Sequence, residues 1–178
     1  MFLIVYVKTK KHTMKNLLIL SIALITVLVF SCRPDTNGIV GEERNILNSL
    51  SGSWKLTKVT QTDEDAKRKG FPYQTMDLTG LFPYSDFQLT LNAANGATND
   101  FTTTPGNAPK IISLTSGGWT VDDPAFPKNI TFTSGGTTEV VTLGGYPVAG
   151  SEKLVLKKEK KDASGKVQVS YNYEFTKQ

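Results

Sequence analysis

The chain has 178 residues with 20 Lys plus Arg, 16 Asp plus Glu, one His and one Cys, for a formal net charge of +4. Four of the basic residues, Lys8, Lys10, Lys11 and Lys15, precede position 32 with no acidic residue beside them, so from Cys32 onward 16 charges of each sign balance. That neutrality removes the electrostatic case for nucleic acid as a partner. His12 and Cys32 are the sole imidazole and thiol, so residues 33–178 exclude disulfides, zinc sites built on His or Cys, and Ser-His or Cys-His nucleophiles. We expect no enzyme, no metal and no cofactor.

Residues 17–30, LLILSIALITVLVF, are almost wholly apolar and follow the basic Met14-Lys15-Asn16. As a helix this stretch would span about 21 Å, short of the roughly 30 Å hydrocarbon core of a bilayer. It is expected to be the apolar region of a cleaved secretory signal, not a membrane span, with Met14 the expected initiator. Val29-Phe30-Ser31-Cys32 resembles the bacterial lipobox, which implies acylation of the Cys32 thiol and cleavage just before it. The expectation is a signal over residues 1–31 and a lipid-anchored cell-envelope protein held in a membrane through Cys32. The acyl chains, at about 0.8 kcal/mol per buried CH₂, make such an anchor effectively permanent. Arg33 in place of Asp, by resemblance to a known sorting rule, implies the outer membrane of a Gram-negative bacterium. Residues 33–41, RPDTNGIVG, read as a flexible tether, and residues 32–47 as tether plus the start of a short helix.

Residues 48–178 are expected to form one domain. Glu42 to Leu50 offers a short apolar face of Ile46, Leu47 and Leu50, suggesting a helix that ends near Gly52. From there the period changes to two. Ser53 to Gln61 places Trp54 and Leu56 on one face with Val59 out of phase, which predicts a bulge. Asp86 to Asn92 alternates cleanly through Phe87, Leu89 and Leu91. Further strands are expected at residues 101–104, 110–114, 119–122, 129–133, 137–143, 153–160 and 167–176. The last carries Val167, Val169, Tyr171, Tyr173 and Phe175 inward, and Gln168, Ser170, Asn172 and Glu174 outward. Gly-containing turns separate these strands, among them Asn95-Gly96, Ser134-Gly135-Gly136 and Ser164-Gly165. With no crossover helices, the pattern predicts an all-β antiparallel up-and-down barrel of about eight strands, with a two-sheet sandwich as the alternative.

Gly52-Ser53-Trp54 at the first strand, with LSGSWKLTKVTQTDEDAKRKGFPY, DLTGLFPYSDFQLTLN, GGWTVDDPAFPKNITF and YNYEFTK, resembles the lipocalin-like lipoproteins of unknown function from Gram-negative bacteria. The resemblance spans nearly all of residues 48–178. It implies a barrel with Trp54 as the core plug at its base, and no established ligand. Lipocalins cover that tryptophan with a late arginine. Here the last arginine is Arg68, leaving Lys157, Lys158 or Lys177 to do so. The motif recurs at Gly117-Gly118-Trp119, which we read as incidental.

Asp122-Asp123 before Pro124 reads as a turn, since adjacent strand residues face opposite ways. The run DEDAKRK at 63–69 reads as a solvated loop or helical turn, and the lysines 157, 158, 160, 161 and 166 as a charged edge around one hairpin. The unusual feature is a doublet, Phe71-Pro72-Tyr73 and Phe82-Pro83-Tyr84, in the longest connection, residues 62–85. Phe71, Tyr73, Phe82 and Tyr84, with Met76 and Leu78 between them, are the candidate ligand and lid residues, expected to lie across the barrel mouth. The expected function is a non-catalytic binding module for a small apolar or amphipathic ligand or a glycan. The alternative is an accessory subunit with a filled core that docks on another envelope protein.

Overall fold

A computed structural model describes residues 46–148 and 150–178. Cys32, the expected signal over residues 1–31 and the expected tether, all within residues 1–45, lie outside the described residues. The elements are α1 (Ile46–Leu50), β1 (Gly52–Asp63), α2 (Glu64–Lys69), β2 (Thr75–Asp77), a 3-10 turn (Tyr84–Asp86), β3 (Gln88–Ala94), β4 (Ala97–Thr104), β5 (Ser116–Val121), β6 (Asn129–Ser134), β7 (Thr137–Leu143), β8 (Lys153–Lys161) and β9 (Val167–Lys177). Every pairing is antiparallel, and the order β2-β1-β3-β4-β5-β6-β7-β8-β9 closes on itself through β1–β9. The protein is a closed eight-stranded up-and-down barrel with β2 as one added strand, not a sandwich. Closure leaves no long exposed edge.

β1 organises the closure. One of its edges runs along β9 from Trp54↔Lys177 to Asp63↔Val169, interrupted by a bulge between Leu56 and Lys58 that explains the phase jump at Val59. Its other edge is shared: Gly52–Lys55 pair with β3, and Thr60–Thr62 with β2. The alternation of strand direction fixes the two ends. α1, the β3–β4 turn, the 122–128 and 144–152 connections and the C-terminal residue lie at one end, the floor. The long β1–β3 connection, the 105–115 connection and the β6–β7 and β8–β9 turns lie at the other, the mouth.

The core follows the pattern of alternate positions. Leu56, Val59, Phe87, Leu89, Leu91, Phe101, Ile130, Phe132, Leu156 and Phe175 are 0% exposed, so no water-sized space touches them. Ring pairs Phe101–Phe132 (4.7 Å) and Phe87–Phe175 (6.1 Å) meet edge-on inside the barrel.

Two expectations need correction and one alternative is decided. Residues 110–114 are not a strand: they belong to a connection in which Ile111 and Ile112 are both buried. Their apolar residues are adjacent instead of alternating, and they plug the barrel from the mouth side. Of the two readings of residues 63–69, the helical turn is the one found, as α2. Asp63 caps α2 by accepting the Asp65 and Ala66 N–H groups at 3.0 and 2.8 Å, and Gly70, at φ 71°, ends it. Finally, Ser170 has the outward register but is only 1% exposed, because α2 lies over it. Ser170 Oγ donates to Glu64 Oε1 at 2.6 Å and Arg68 Nη1 to the Val167 carbonyl at 2.9 Å. α2 therefore straps the β8–β9 hairpin from outside.

Candidate functional site

The floor is built by two tryptophans. Trp54 Nε1 donates to the Leu50 carbonyl at 2.8 Å, and Trp119 Nε1 to the Asn92 carbonyl at 2.7 Å. Both rings are buried. The Lys177 ammonium lies 5.3 Å from the Trp54 ring centre, so among the three candidate lysines it is Lys177 that covers this ring. Gly52, at φ 135°, allows that approach: a β-carbon there would sit 2.4 Å from Lys177 Cε. The second Gly-x-Trp is not incidental. Gly117, at φ 151°, brings β5 so close to β6 that a β-carbon would meet the Thr133 carbonyl oxygen at 2.1 Å.

Toward the mouth the lining turns polar on the same strands. Lys158 and Lys160 share the register of Leu154 and Leu156, and Glu139 that of Val141 and Leu143. Lys158 Nζ meets Glu139 Oε1 at 2.7 Å, and the Ser113 N–H donates to Glu139 Oε2 at 2.7 Å. Burial pushes the Glu139 carboxyl up. The Lys158 and Ser113 hydrogen bonds and the Lys158 charge outweigh that and hold it below its ordinary value. This pair bridges the β7–β8 seam, where only Thr142↔Lys157 and Leu143↔Leu156 are in register. Lys160 Nζ stands 5.6 Å over the Tyr171 ring. The lysine edge thus splits: Lys158 and Lys160 face the interior, Lys157 pairs with Glu159 at 2.8 Å, and Lys166 reaches Asp65 at 3.5 Å. Period two along β8 was the signal for that split.

A run of aromatic rings crosses the mouth: Phe82–Tyr84 (5.7 Å), Tyr84–Tyr173 (6.4 Å) and Tyr173–Tyr171 (6.4 Å, stacked). Burial raises the hydroxyl pKa of Tyr84 and pushes that of Tyr173 up to about 12, with the neighbouring tyrosines adding to both. Of the candidate lid residues only Tyr84 packs into the barrel, together with Leu78. Phe71, Phe82 and Met76 are about half exposed, Leu81 more so, and Tyr73 is 91% exposed. The doublet therefore splits: its second triplet is pinned by the 3-10 turn and Tyr84, while its first stands free of the core. Lys69 Nζ lies 6.0 Å from the Phe71 ring.

The acidic pairs are structural. Asp122 Oδ1 accepts the N–H groups of Lys128 and Asn129, and its Oδ2 the Asn129 side-chain amide; these bonds hold its pKa down to about 2. Asp123 Oδ1 accepts from Ala125 and Phe126. Among the described residues, no group of three or more His, Cys, Asp or Glu is placed to hold a metal ion. No helix among them is long and apolar enough to cross a membrane.

Fold and site together define an antiparallel eight-stranded barrel with an apolar, sealed floor, a polar mouth and an exposed aromatic surface beside that mouth. The chain belongs to the family described as Domain of unknown function (DUF5004), which matches residues 34–176. No curated protein matches the chain.

Proposed function

We propose that this protein is a lipid-anchored, non-catalytic module of the Gram-negative cell envelope, of lipocalin-like type, that binds a protein partner through the outer surface of its β1–β3 connection. One observation carries the reading. Phe71, Tyr73, Met76, Leu81 and Phe82 stand at half exposure or more within twelve residues, above a barrel in which ten inward side chains are 0% exposed. Exposed aromatic and methionine side chains gathered along one connection are the composition of a protein interface. The interior, filled by its own rings, favours docking on another envelope protein over a ligand held deep in the barrel. Acylation of Cys32 would hold the module at the outer membrane.

The Phe82–Tyr84–Tyr173–Tyr171 run, with Lys160 at its end, favours a second reading: a small amphipathic ligand or a glycan lying across the mouth.

A photo-crosslinking amino acid at position 73, in the native envelope, tests the first reading. A discrete protein adduct that disappears on Phe71→Ser with Phe82→Ser supports it. No adduct, with a lipid or sugar released from the purified protein by mass spectrometry, would move the assignment to the mouth. Radiolabelled palmitate tests the anchor: it should enter the wild type and not Cys32→Ala, and an unlabelled wild type removes the lipoprotein reading.

A further inference from the structure

A second apolar cluster stands at the opposite end, on the floor. Phe126 is 67% exposed, Tyr146 49% and Val148 53%, on the 122–128 and 144–152 connections. They are not exposed through slackness. The Asp123 carboxylate holds the Phe126 N–H at 3.1 Å, Asp122 ties residues 128 and 129, and Tyr146 Oη donates to the Ala125 carbonyl at 2.8 Å. The two rings sit 6.2 Å apart. A tied pair of loops that keeps two large rings in water has no rationale in folding alone.

We infer that this end seats on the bilayer surface that holds the anchor, with Phe126, Tyr146 and Val148 dipping into the headgroup boundary. This rests on the lipid-anchor reading above. The geometry of the chain selects the occupant. α1 enters the described fold at the floor, and thirteen residues, 33–45, separate Cys32 from Ile46. Thirteen residues reach at most about 45 Å. β1, the longest strand with twelve residues, tilted as barrel strands are, gives a barrel about 30 Å tall. The floor therefore lies within easy reach of the membrane, whereas seating the mouth would use up about 30 of those roughly 45 Å along the barrel wall. A tethered surface needs little intrinsic affinity, because its effective concentration is already high. Phenylalanine with tyrosine, the hydroxyl held at one end of the ring, suits the boundary between headgroup and acyl chain. Charges at this end are mixed, Lys128, Lys153 and Lys177 against Asp122, Asp123 and Glu152, so the contact is apolar and insensitive to salt. The aromatic patch at the mouth then points away from the membrane, toward partners.

The test uses the full acylated protein in phosphatidylethanolamine–phosphatidylglycerol vesicles, with Trp54 and Trp119 as a buried background. In Phe126→Trp the added emission should be blue-shifted and at least halved by brominated acyl chains, equally in low and high salt. In Tyr73→Trp it should be unquenched. With an acyl chain on Cys32 verified by mass, no quenching at position 126, or equal quenching at both positions, overturns the proposal and leaves the anchor standing. Absence of an acyl chain on Cys32 removes both. A protein adduct from a crosslinker at position 126 in cells would instead give the floor to a protein partner.

Discussion

Gly52 and Gly117 open two copies of the same three-residue pattern, and the structure separates their roles by what faces each. At Gly117 a side chain meets backbone. The φ of 151° is strained for any other residue, at about 1–3 kcal/mol. The added β-carbon would lie 2.1 Å from the Thr133 carbonyl oxygen, in a strand pair where Gly118↔Thr133 is in register. Reaching a tolerable contact requires β5 and β6 to part by about 1 Å. That separation weakens ladder bonds, each about 1 kcal/mol net, and disturbs the packed Trp119 beside it. Gly117→Ala should cost about 4 kcal/mol, a large fraction of the roughly 5–15 kcal/mol that holds a domain folded. At Gly52 the φ of 135° carries the same backbone strain, but the obstacle is Lys177 Cε, the end of a side chain that can swing aside. Losing the lysine from the Trp54 ring adds about 0.5–1 kcal/mol, so Gly52→Ala should cost about 2 kcal/mol. Urea unfolding followed by tryptophan fluorescence, with unchanged slopes, measures both. Equal losses, or a larger one at Gly52, would refute the reasoning that a backbone obstacle cannot yield where a side-chain end can.

Two further outcomes follow from β7, β8 and β9. Phe175→Ala, at a fully buried ring, should cost about 3–5 kcal/mol, half-buried Tyr171→Ala less, and Asn172→Ala within about 0.5 kcal/mol, all by calorimetry; equal effects at 175 and 172 would contradict the inward–outward assignment. Glu139 has its carboxyl held below the ordinary value in the folded state, so ionised Glu139 stabilises the fold above the ordinary glutamate range and that stability is lost as pH falls through the folded value. The stability difference between wild type and Glu139→Gln should therefore shrink from about pH 7 to about pH 3, and a difference that stays constant would mean the Lys158 pair is not formed.

Most of the barrel was legible in the sequence because half-buried strands write their register as period two. Val59 revealed its bulge by breaking phase, and Leu89, Leu91, Ile130 and Phe132 fall inward as the alternation requires. Three features escaped for physical reasons. Ile111-Ile112 resembled a strand by composition, but an adjacent buried pair serves a plug, not a pleated face. Ser170 obeyed the alternation and was still covered, because α2 buries an outward position through tertiary packing that strand pattern does not encode. The lysines of β8 resemble an exposed edge by charge alone, although Lys158 and Lys160 sit in phase with Leu154 and Leu156. The aromatic doublet was visible as a pattern, but not its division: both triplets are Phe-Pro-Tyr, and only position along the connection puts Tyr84 under a 3-10 turn and leaves Tyr73 in water.

The two ends of the barrel differ for a reason that lies within single strands. Along the inward face of β8, leucines 154 and 156 give way to lysines 158 and 160, and along β7, Leu143 and Val141 give way to Glu139. A lysine at the inward positions of Leu154 or Leu143 would have to leave water without a partner, a cost of several kcal/mol. At the mouth the same residue keeps its ammonium near solvent while Glu139 compensates it. The strands are thus graded from oil to water: the floor is sealed by apolar side chains, while at the mouth the apolar plug meets a charged wall. The sealed end is the end where α1 joins the barrel and where Trp54 and Trp119 spend their N–H groups on the Leu50 and Asn92 carbonyls. On the proposed reading, that is the end the membrane faces. It needs only a few apolar contacts on rigid loops, because the anchor supplies the attachment. Recognition is then left to the graded end, where aromatic side chains outside the mouth are free of any role in holding the barrel closed, so their substitution should alter partner binding without unfolding the domain that displays them.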